Sequence, residues 1–238
     1  MICFLTSSPY DPELNALNYA NGFIERLRAC LPKPCVVLFI CSDPDGWEKT
    51  DLYASVTQKL LEKAGFPIRS FVTLDHRNQT RAAELICGAD LIILAGGHVP
   101  TQNRFFVEIG LKDLLQGFDG VLIGISAGSM NSAETVYAQP EEEGEAVDPN
   151  YQRFLPGLGL TKRMILPHSQ MIKDDVLDGL RVMEDIAYPD SLGRQFLIFP
   201  DGTYLHIENG RETVRGEAWR LANGVLTPLC ANEETVEV

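Results

Sequence analysis

The chain has 238 residues, of which 45% are hydrophobic and 22% charged, and its formal net charge is −13. This composition is that of a globular protein and excludes a disordered or membrane-spanning chain. The acidic balance argues against nucleic acids and anionic membranes as partners, because both are bound through basic surfaces. There is no signal-peptide pattern, and the six cysteines form no CxxC pair. We therefore expect a cytoplasmic protein with free thiols, no metal site and no cofactor.

Short apolar segments alternate with longer segments of helical periodicity through the first half of the chain. The predicted strands are Ile2–Thr6, Val36–Ile40, Ile68–Leu74, Leu91–Ala95 and Val121–Ile125. The predicted helices are Glu13–Leu31, Trp47–Ala64, Arg81–Cys87 and Thr101–Gln116. Several strands are apolar at every position, which is typical of parallel strands covered on both faces. The order predicts a doubly wound α/β fold with a mostly parallel sheet flanked by helices.

The pattern changes after residue 138. The segment Gln139–Asn150 contains two prolines and five acidic residues, which is typical of a solvated loop. A helix is predicted near Asp174–Tyr188, and strands are predicted at Phe196–Phe199 and Tyr204–Glu208. Short strands up to Leu226 would give the sheet an antiparallel C-terminal end. Because no repeat or long linker divides the chain, we predict a single domain over residues 1–238.

The pentad Gly124-Ile125-Ser126-Ala127-Gly128 matches the G-x-S-x-G pattern of a serine nucleophile. It follows an apolar predicted strand directly, and Ala127–Tyr137 can form the helix behind it. A tight turn between strand and helix exposes the serine hydroxyl. The N–H groups of the helix N-terminus then face an oxygen that becomes negative during acyl transfer. The alternative is a glycine-rich turn with a capping serine.

A serine nucleophile needs a base, and the chain has four histidines. His168 is the preferred base because it follows a strand-like segment, and strand ends carry the active sites of open α/β sheets. Asp201 follows another predicted strand and is the candidate that orients the imidazole. An ordinary Asp-Gly turn is the alternative interpretation of Asp201.

Four segments, taken together, resemble the peptidase E family of serine peptidases, which includes aspartyl dipeptidases and, more distantly, cyanophycinases. They are Leu94–Gly97, Gly124–Ser129, Pro167-His168 and Phe199–Gly202, in the chain order of that family. The resemblance covers roughly residues 91–210. It implies a fold similar to class I glutamine amidotransferases (flavodoxin-like), with serine in place of their cysteine.

The resemblance also implies roles for individual residues. Ser126 would be the nucleophile and His168 the base, and the backbone N–H groups of Gly97 and Ala127 would form the oxyanion hole. Family members often have G-G-N where this chain has Gly96-Gly97-His98. We therefore expect His98 to change the contacts with substrate.

The third member of the triad departs from the family pattern. Peptidase E usually has a glutamate in a P-E-G turn, whereas this chain has Asp201, which is one methylene shorter. An acidic residue after the serine, Glu134 or Glu141, therefore stays open as the group that orients His168.

The substrate expectation also comes from the resemblance. Peptidase E enzymes remove an N-terminal aspartate from dipeptides and some tripeptides. If this activity carries over, a cationic side chain should meet the substrate carboxylate, and Arg104 and Arg163 are the candidates. We expect a monomeric or homodimeric peptidase that hydrolyses short peptides through an acyl-enzyme.

Three other functions stay open. An α/β-hydrolase esterase uses the same pentad, and here it would need Ser126, Asp190 and His206. His206 lies among strand residues, and no H-G-G motif precedes the pentad, which disfavours the esterase. The remaining alternatives are a cyanophycinase-like peptidase and a non-catalytic relative that binds a small molecule.

Overall fold

The apolar segments of the sequence form the strands of a computed structural model that describes residues 1–238. The strands are β1 (Ile2–Thr6), β2 (Tyr10–Asp11), β3 (Ala16–Leu17), β4 (Cys35–Ile40), β5 (Ile68–Leu74), β6 (Leu91–Leu94), β7 (Val121–Ile125), β8 (Thr135–Tyr137), β9 (Phe154–Pro156), β10 (Met164–Leu166), β11 (Val176–Leu177), β12 (Leu180–Arg181), β13 (Gln195–Ile198), β14 (Tyr204–Glu208), β15 (Arg211–Arg215), β16 (Ala218–Ala222), β17 (Val225–Cys230) and β18 (Thr235–Glu237).

Five of the eight α-helices lie in the first half of the chain. They are α1 (Phe23–Cys30), α2 (Trp47–Lys63), α3 (Ala82–Cys87), α4 (Val99–Glu108), α5 (Leu111–Leu114), α6 (Ala127–Asn131), α7 (Ser169–Ile172) and α8 (Tyr188–Asp190). Three 3₁₀ turns (Ala20–Gly22, Gln79–Arg81 and Leu115–Gly117) and a π-helical segment (Val182–Ala187) complete the helical structure. None of the helices combines the length and the apolar character needed to cross a membrane.

The central sheet has eight strands in the order β18-β15-β14-β1-β7-β6-β4-β5. Strands β1, β7, β6, β4 and β5 are parallel to their neighbours in this group. Strands β14, β15 and β18 extend the sheet in antiparallel pairing beyond β1. This architecture confirms the predicted α/β fold, in which β1 lies between the parallel and antiparallel parts.

Both faces of the central sheet are buried. Leu5 and Leu122 belong to a cluster of 24 buried residues on one face, and Phe4 and Ile123 belong to a cluster of 20 on the other. Helices α3, α4 and α5 contribute to the first cluster, and α1 and α2 contribute to the second. Burial of each large aliphatic side chain contributes about 1.5–3 kcal/mol. The two clusters therefore explain why these strands are apolar at nearly every position.

A second sheet has the order β10-β13-β16-β17. Strands β10 and β13 are parallel, whereas β16 and β17 continue in antiparallel pairing. The predicted antiparallel end is therefore divided between two sheets, and its last strand ends at Glu237 rather than Leu226. The parallel pair β10 and β13 brings two strand ends together, as β1 and β7 do in the central sheet.

Two predicted helices are interrupted by residues with positive φ. The segment predicted as Glu13–Leu31 begins with the β2–β3 pair, and α1 starts only at Phe23. Asn15, Asn21 and Gly22 adopt φ of 45°, 57° and 69°, which a helix does not allow. The predicted helix Thr101–Gln116 starts earlier, at Val99, and is divided by Gly110 at φ 64° into α4 and α5.

Two further predicted helices give way to strands. The predicted helix Ala127–Tyr137 ends at Asn131, and the β-branched and aromatic residues Thr135–Tyr137 form β8, which pairs with β9. The predicted helix Asp174–Tyr188 contains the β11–β12 hairpin. Its turn residues Asp178 and Gly179 both have positive φ, as a two-residue hairpin turn of type I′ requires.

Glycine is required at position 128, where α6 packs against the end of β6. A Cβ atom on Gly128 would lie 2.7 Å from Cβ of Leu94 and 2.8 Å from its carbonyl carbon. A Cβ atom on Gly117 would meet no atom within 4 Å. Since the backbone of β6 cannot move without disturbing the sheet, a side chain at position 128 must displace α6.

We predict that Gly128→Ala lowers the free energy of unfolding by about 1–3 kcal/mol, the usual cost of overpacking. Chemical denaturation monitored by circular dichroism measures this change. Gly117→Ala is the matched control and should leave the unfolding midpoint almost unchanged. Equal unfolding midpoints for the two variants would show that position 128 tolerates a methyl group.

Candidate active site

Ser126 occupies a strained turn between β7 and α6. Its φ of 49° and ψ of −111° are rare for a residue with a side chain and cost about 1–3 kcal/mol. Its N–H group donates to the carbonyl oxygens of Thr6 (3.1 Å) and Ser7 (3.0 Å) at the end of β1. These two hydrogen bonds hold the turn in place, and the serine hydroxyl is presented at the C-terminal edge of the central sheet.

The structure brings Ser126, His168 and Asp201 into one hydrogen-bonded chain. Nε2 of His168 lies 2.9 Å from Oγ of Ser126, and Nδ1 lies 2.8 Å from Oδ1 of Asp201. The tautomer with hydrogen on Nδ1 satisfies both contacts, because Nδ1 then donates to the carboxylate and Nε2 accepts from the hydroxyl. His168 follows β10 and Asp201 follows β13, so the two ends of this parallel pair supply both side chains.

Ser7 is a fourth member of the cluster, and sequence reasoning missed it. Its hydroxyl donates to Oδ1 of Asp201 at 2.7 Å and accepts the backbone N–H of His168 at 2.8 Å. Ser7 is fully buried. A signal was present, since polar residues follow the first strand just as they follow the strands that were selected. Without knowing that β1 lies beside β7, this strand end could not be ranked above the others.

The environment of Asp201 keeps its carboxylate ionised. Burial by itself would raise the pKa of Asp201, but hydrogen bonds from His168 and Ser7 and the charge of His168 lower it overall. A carboxylate that accepts several hydrogen bonds is stabilised in its charged form. Asp201 therefore stays negative opposite Nδ1 of His168 at neutral pH.

Gly97 and Ala127 place backbone N–H groups at the same edge. Gly97 follows β6 at φ 149°, and its N–H has no backbone acceptor within the protein. A Cβ atom there would lie 2.7 Å from Cβ of Ser42, so this approach requires glycine. Ala127 lies in the first turn of α6, where N–H groups have no acceptor inside the helix.

A cleft of about 320 Å³ opens in front of Ser126 and His168, and Gly97 contributes to its lining. Six apolar side chains line it: Met130, Leu166, Met171, Ile172, Leu177 and Val182. The carboxylates in the lining belong to Glu141 and Asp175. No lysine or arginine lines the cleft.

Arg104 and Arg163 lie outside this cleft, which corrects the expectation that one of them meets the substrate. Arg104 is exposed on α4, and its guanidinium contacts the hydroxyl of Thr101 at 3.4 Å. Nε of Arg163 donates to Glu212 at 2.9 Å. The side chains of both arginines therefore have partners outside the cleft.

His98 also lies outside the cleft lining. Its Nδ1 pairs with the hydroxyl of Thr101 at 2.8 Å, and its Nε2 pairs with Glu145 at 2.9 Å. Together with Glu142, the side chains of His98 and Glu145 place potential metal-ligand atoms within 4.8 Å of one another. Both ring nitrogens of His98 therefore have partners within the protein.

The other carboxylates considered from the sequence do not contact His168. Glu134 is exposed, and its backbone pairs with Thr161. Glu141 lines the cleft, but its side chain makes no hydrogen bond to His168. The structure therefore places Asp201, and neither alternative, against Nδ1.

The arrangement needed for the esterase is not assembled. His206 packs against Phe4, with ring centroids 4.8 Å apart, and its Nε2 is buried without a partner. Asp190 accepts hydrogen bonds from Tyr137 (2.9 Å) and Arg153 (2.7 Å). Neither residue contacts Ser126.

The acidic segment after residue 138 is a largely exposed loop, as predicted, and hydrogen bonds fix it beside the cleft, where it forms the acidic wall. The carboxylate of Glu145 accepts the backbone N–H groups of Glu141 (2.9 Å) and Glu142 (3.0 Å). Asp178 of the β11–β12 hairpin accepts the N–H groups of Gly144 (2.8 Å) and Ala146 (3.0 Å). These contacts fasten the segment to the hairpin and leave Glu141 at the cleft.

The carboxyl group of Glu141 is poised to change its charge near neutral pH. Glu141 lines the cleft. Desolvation there, together with the negative charge of Glu145, raises the pKa of Glu141 to about 7, although the nearby His168 acts in the opposite direction.

Comparison with known proteins identifies the family. The profile described as peptidase family S51 matches residues 13–215. The chain belongs to peptidase family S51. This membership confirms the resemblance to peptidase E, and the four segments that carried the resemblance all lie within the S51 match.

Two solved structures resemble the S51 chain over nearly its whole length. A peptidase from an acI-B1 Actinobacterium has a TM-score of 0.65 and 19% sequence identity, over 100% of this chain and 96% of that one. A Listeria monocytogenes EGD-e protein assigned as a peptidase E has a TM-score of 0.59 and 17% identity, over 96% of this chain and 98% of that one. At these identities the likeness shows a shared fold.

A curated relative matches a shorter part of the S51 chain. A segment of 79 residues is 33% identical to the probable 6-phospho-beta-glucosidase of Bacillus subtilis (strain 168). The segment is 33% of this chain and only 16% of that protein. The match therefore covers a small part of the relative and transfers no activity.

We predict that Glu141→Gln changes the pH dependence of stability in this S51 protein. Below pH 4.5, the reference pKa, the carboxyl is protonated whether the chain is folded or unfolded. As the pH rises to about 7, the unfolded chain ionises first, and the folded protein loses stability relative to it. The glutamine variant lacks this loss, because it has no proton to release.

Thermal unfolding of both proteins between pH 4 and pH 8 tests this prediction. The melting temperature of Glu141→Gln, minus that of the wild type, should increase with pH across this range. Glu143→Gln, which changes an exposed residue of the same segment, should show a difference that is independent of pH. A constant difference for Glu141→Gln would contradict the raised pKa.

Proposed function

We propose that the protein is a serine-type peptidase that hydrolyses short peptides through an acyl-enzyme intermediate. The observation that carries the proposal is the unbroken hydrogen-bonded chain from Ser126 through His168 to Asp201 at the edge of the cleft. Membership in peptidase family S51 supports the same reaction class.

Ser126 would begin the reaction by attacking the carbonyl carbon of the scissile peptide bond. His168 accepts the hydroxyl proton at Nε2, over the 2.9 Å contact already present. The imidazolium that forms is stabilised by the ionised Asp201 at Nδ1. The strained backbone of Ser126 keeps the hydroxyl directed toward the cleft.

The carbonyl oxygen becomes negative as the tetrahedral intermediate forms. The N–H groups of Gly97 and Ala127 would donate hydrogen bonds to this oxygen, helped by the positive end of α6. His168 then gives its proton to the departing amine, which leaves an ester on Ser126. A water molecule, activated by His168, hydrolyses the ester and regenerates the hydroxyl.

The cleft supports a small peptide as substrate, since about 320 Å³ accommodates only a few residues. The preference for an N-terminal aspartate stays a prediction from the family, and the monomeric or homodimeric state and the absence of a cofactor stay predictions from the sequence. A dipeptide library varied at the first residue measures the preference directly. An Arg-rich polymer substrate added to this library tests the cyanophycinase-like alternative.

We predict that Ser126→Ala abolishes peptide hydrolysis, with a loss of about 10³-fold or more in kcat, because the triad acts as a unit. A serine-directed fluorophosphonate should label the wild type at residue 126 and fail to label the variant. Ser70→Ala, which changes an exposed serine on β5, is the control and should label normally. A folded wild type that resists labelling would favour the non-catalytic binding protein instead.

We predict that Asp201→Asn lowers kcat by about 10²- to 10⁴-fold while the protein stays folded. An amide can hold the wrong imidazole tautomer and cannot balance the imidazolium charge; the comparable change in chymotrypsin-like proteases lowers kcat about 10⁴-fold. Steady-state kinetics give the rates, and Glu134→Gln is the control with an exposed carboxylate. Near-normal turnover of Asp201→Asn would remove the orienting role from Asp201.

A further inference from the structure

The hydroxyl group of Ser7 lies where it meets both His168 and Asp201. Its Oγ is 2.7 Å from Oδ1 of Asp201, and the same carboxylate oxygen is 2.8 Å from Nδ1 of His168. An ionised carboxylate only accepts hydrogen bonds, so the proton of the hydroxyl points to Asp201. Two donors from different parts of the fold therefore converge on one oxygen atom, and together they fix the orientation of the carboxylate.

The backbone of His168 depends on the same hydroxyl. Its φ of 58° and ψ of 37° lie in the left-handed region, which few residues with a side chain adopt. The N–H group of His168 donates to Oγ of Ser7 at 2.8 Å and to no backbone carbonyl. Ser7 is thus the acceptor that holds this N–H group, in the conformation from which the imidazole reaches both Ser126 and Asp201.

Ser7 lies behind the site rather than in the cleft. It is fully buried and does not belong to the cleft lining, which contains Ser126 and His168. Its hydrogen bond is one of those that lower the pKa of Asp201, because a donor to a carboxylate favours the charged form. Ser7 can therefore affect the geometry and charge of the His168–Asp201 pair without touching a substrate.

We propose that Ser7 is a positioning residue, whose hydroxyl group holds the imidazole of His168 and the carboxylate of Asp201 in the orientation that proton transfer from Ser126 requires. This assignment rests on the peptidase function proposed above. The hydroxyl donates to Oδ1 of Asp201 before and after His168 takes the proton of Ser126, so Ser7 transfers no proton itself. Its loss should slow the chemical step and leave substrate binding unchanged.

A buried serine could instead serve stability alone, and the chain offers a matched comparison. Ser191 is also fully buried. Its hydroxyl donates one hydrogen bond, to the carbonyl oxygen of Tyr188 at 2.7 Å, and accepts one, from the N–H group of Gly224 at 2.8 Å. Ser7→Ala and Ser191→Ala therefore each remove one donated and one accepted hydrogen bond, and only Ser7→Ala removes them from the site.

The rate at which a fluorophosphonate labels Ser126, measured from pH 5 to pH 9, tests the proposal without a known peptide substrate. Circular dichroism first establishes a temperature at which all variants are folded. We expect Ser7→Ala to lower the second-order rate constant about 10- to 100-fold at pH 7, the range of a hydrogen bond to a charged group. The rate constant of Ser191→Ala should stay within about threefold of the wild type.

The pH dependence of labelling separates positioning from a general loss of structure. Without the donor from Ser7, the charged form of Asp201 is less stabilised, so the imidazole–carboxylate pair takes up a proton at higher pH. The acid-side midpoint of the rate should therefore move to higher pH in Ser7→Ala and stay unchanged in Ser191→Ala. Glu141 and Asp175, the other acidic groups of the cleft, are present in every variant and cancel in this comparison.

Two further measurements extend the test. For any dipeptide that the wild type cleaves, Ser7→Ala should lower kcat by a similar factor and change KM by less than about threefold, because Ser7 does not line the cleft. Ser7→Cys keeps the shape of the side chain but offers only a weak donor, so its labelling rate should lie between those of the wild type and Ser7→Ala. If Ser7→Ala does not fold, the rate and midpoint of Ser7→Cys decide in the same way.

Two results would overturn the proposal. One is a folded Ser7→Ala variant that is labelled within about threefold of the wild-type rate with an unchanged midpoint. The other is an equal loss of rate in Ser7→Ala and Ser191→Ala, which would assign Ser7 to structure alone. In both cases labelling of Ser126 in the wild type shows that the peptidase function stands, whereas a wild type that resists labelling contradicts that function itself.

Discussion

The rest of the site depends on the hydrogen bonds made by the buried hydroxyl of Ser7. It donates to Asp201 and accepts the backbone N–H of His168, while the carbonyl oxygens of Thr6 and Ser7 accept the N–H of Ser126. All three members of the hydrogen-bonded chain are thus located relative to the end of β1. Because a buried polar group left without a partner costs about 1–3 kcal/mol, displacement of this strand end would disturb every member together.

Each of the two sheets supplies part of the site. Strands β6 and β7 of the central sheet deliver Gly97 and Ser126, and the parallel pair β10 and β13 of the second sheet delivers His168 and Asp201. Backbone and side-chain groups from four strand ends converge because parallel neighbours end at the same edge. The distances within the site therefore report how closely the two sheets are packed, and Ser7 makes the direct connection between them.

Patterns that depend on neighbouring residues were readable from the sequence, and patterns that depend on distant contacts were not. Apolar runs predicted the parallel strands, and the G-x-S-x-G turn selected Ser126, because both signals lie within a few residues. Composition correctly predicted the loop at residues 139–150 but not its anchoring, because the hydrogen bond from Gly144 to Asp178 joins residues 34 positions apart. Likewise, nothing local shows that Arg163 is engaged by Glu212. The Asp178-Gly179 pair is a turn signal that lies inside the segment predicted as a helix.

The anchoring of the acidic wall by Asp178 has an evolutionary consequence. Residues 139–146 and the hairpin 176–181 are joined to each other by hydrogen bonds, yet neither segment contributes a member of the Ser126, His168 and Asp201 chain. The two segments therefore form an exchangeable cassette. Insertions, deletions or recombination within it could remodel which peptides are accepted, while the machinery for breaking the bond is inherited unchanged. We expect relatives that cleave different peptides to diverge first in these two segments.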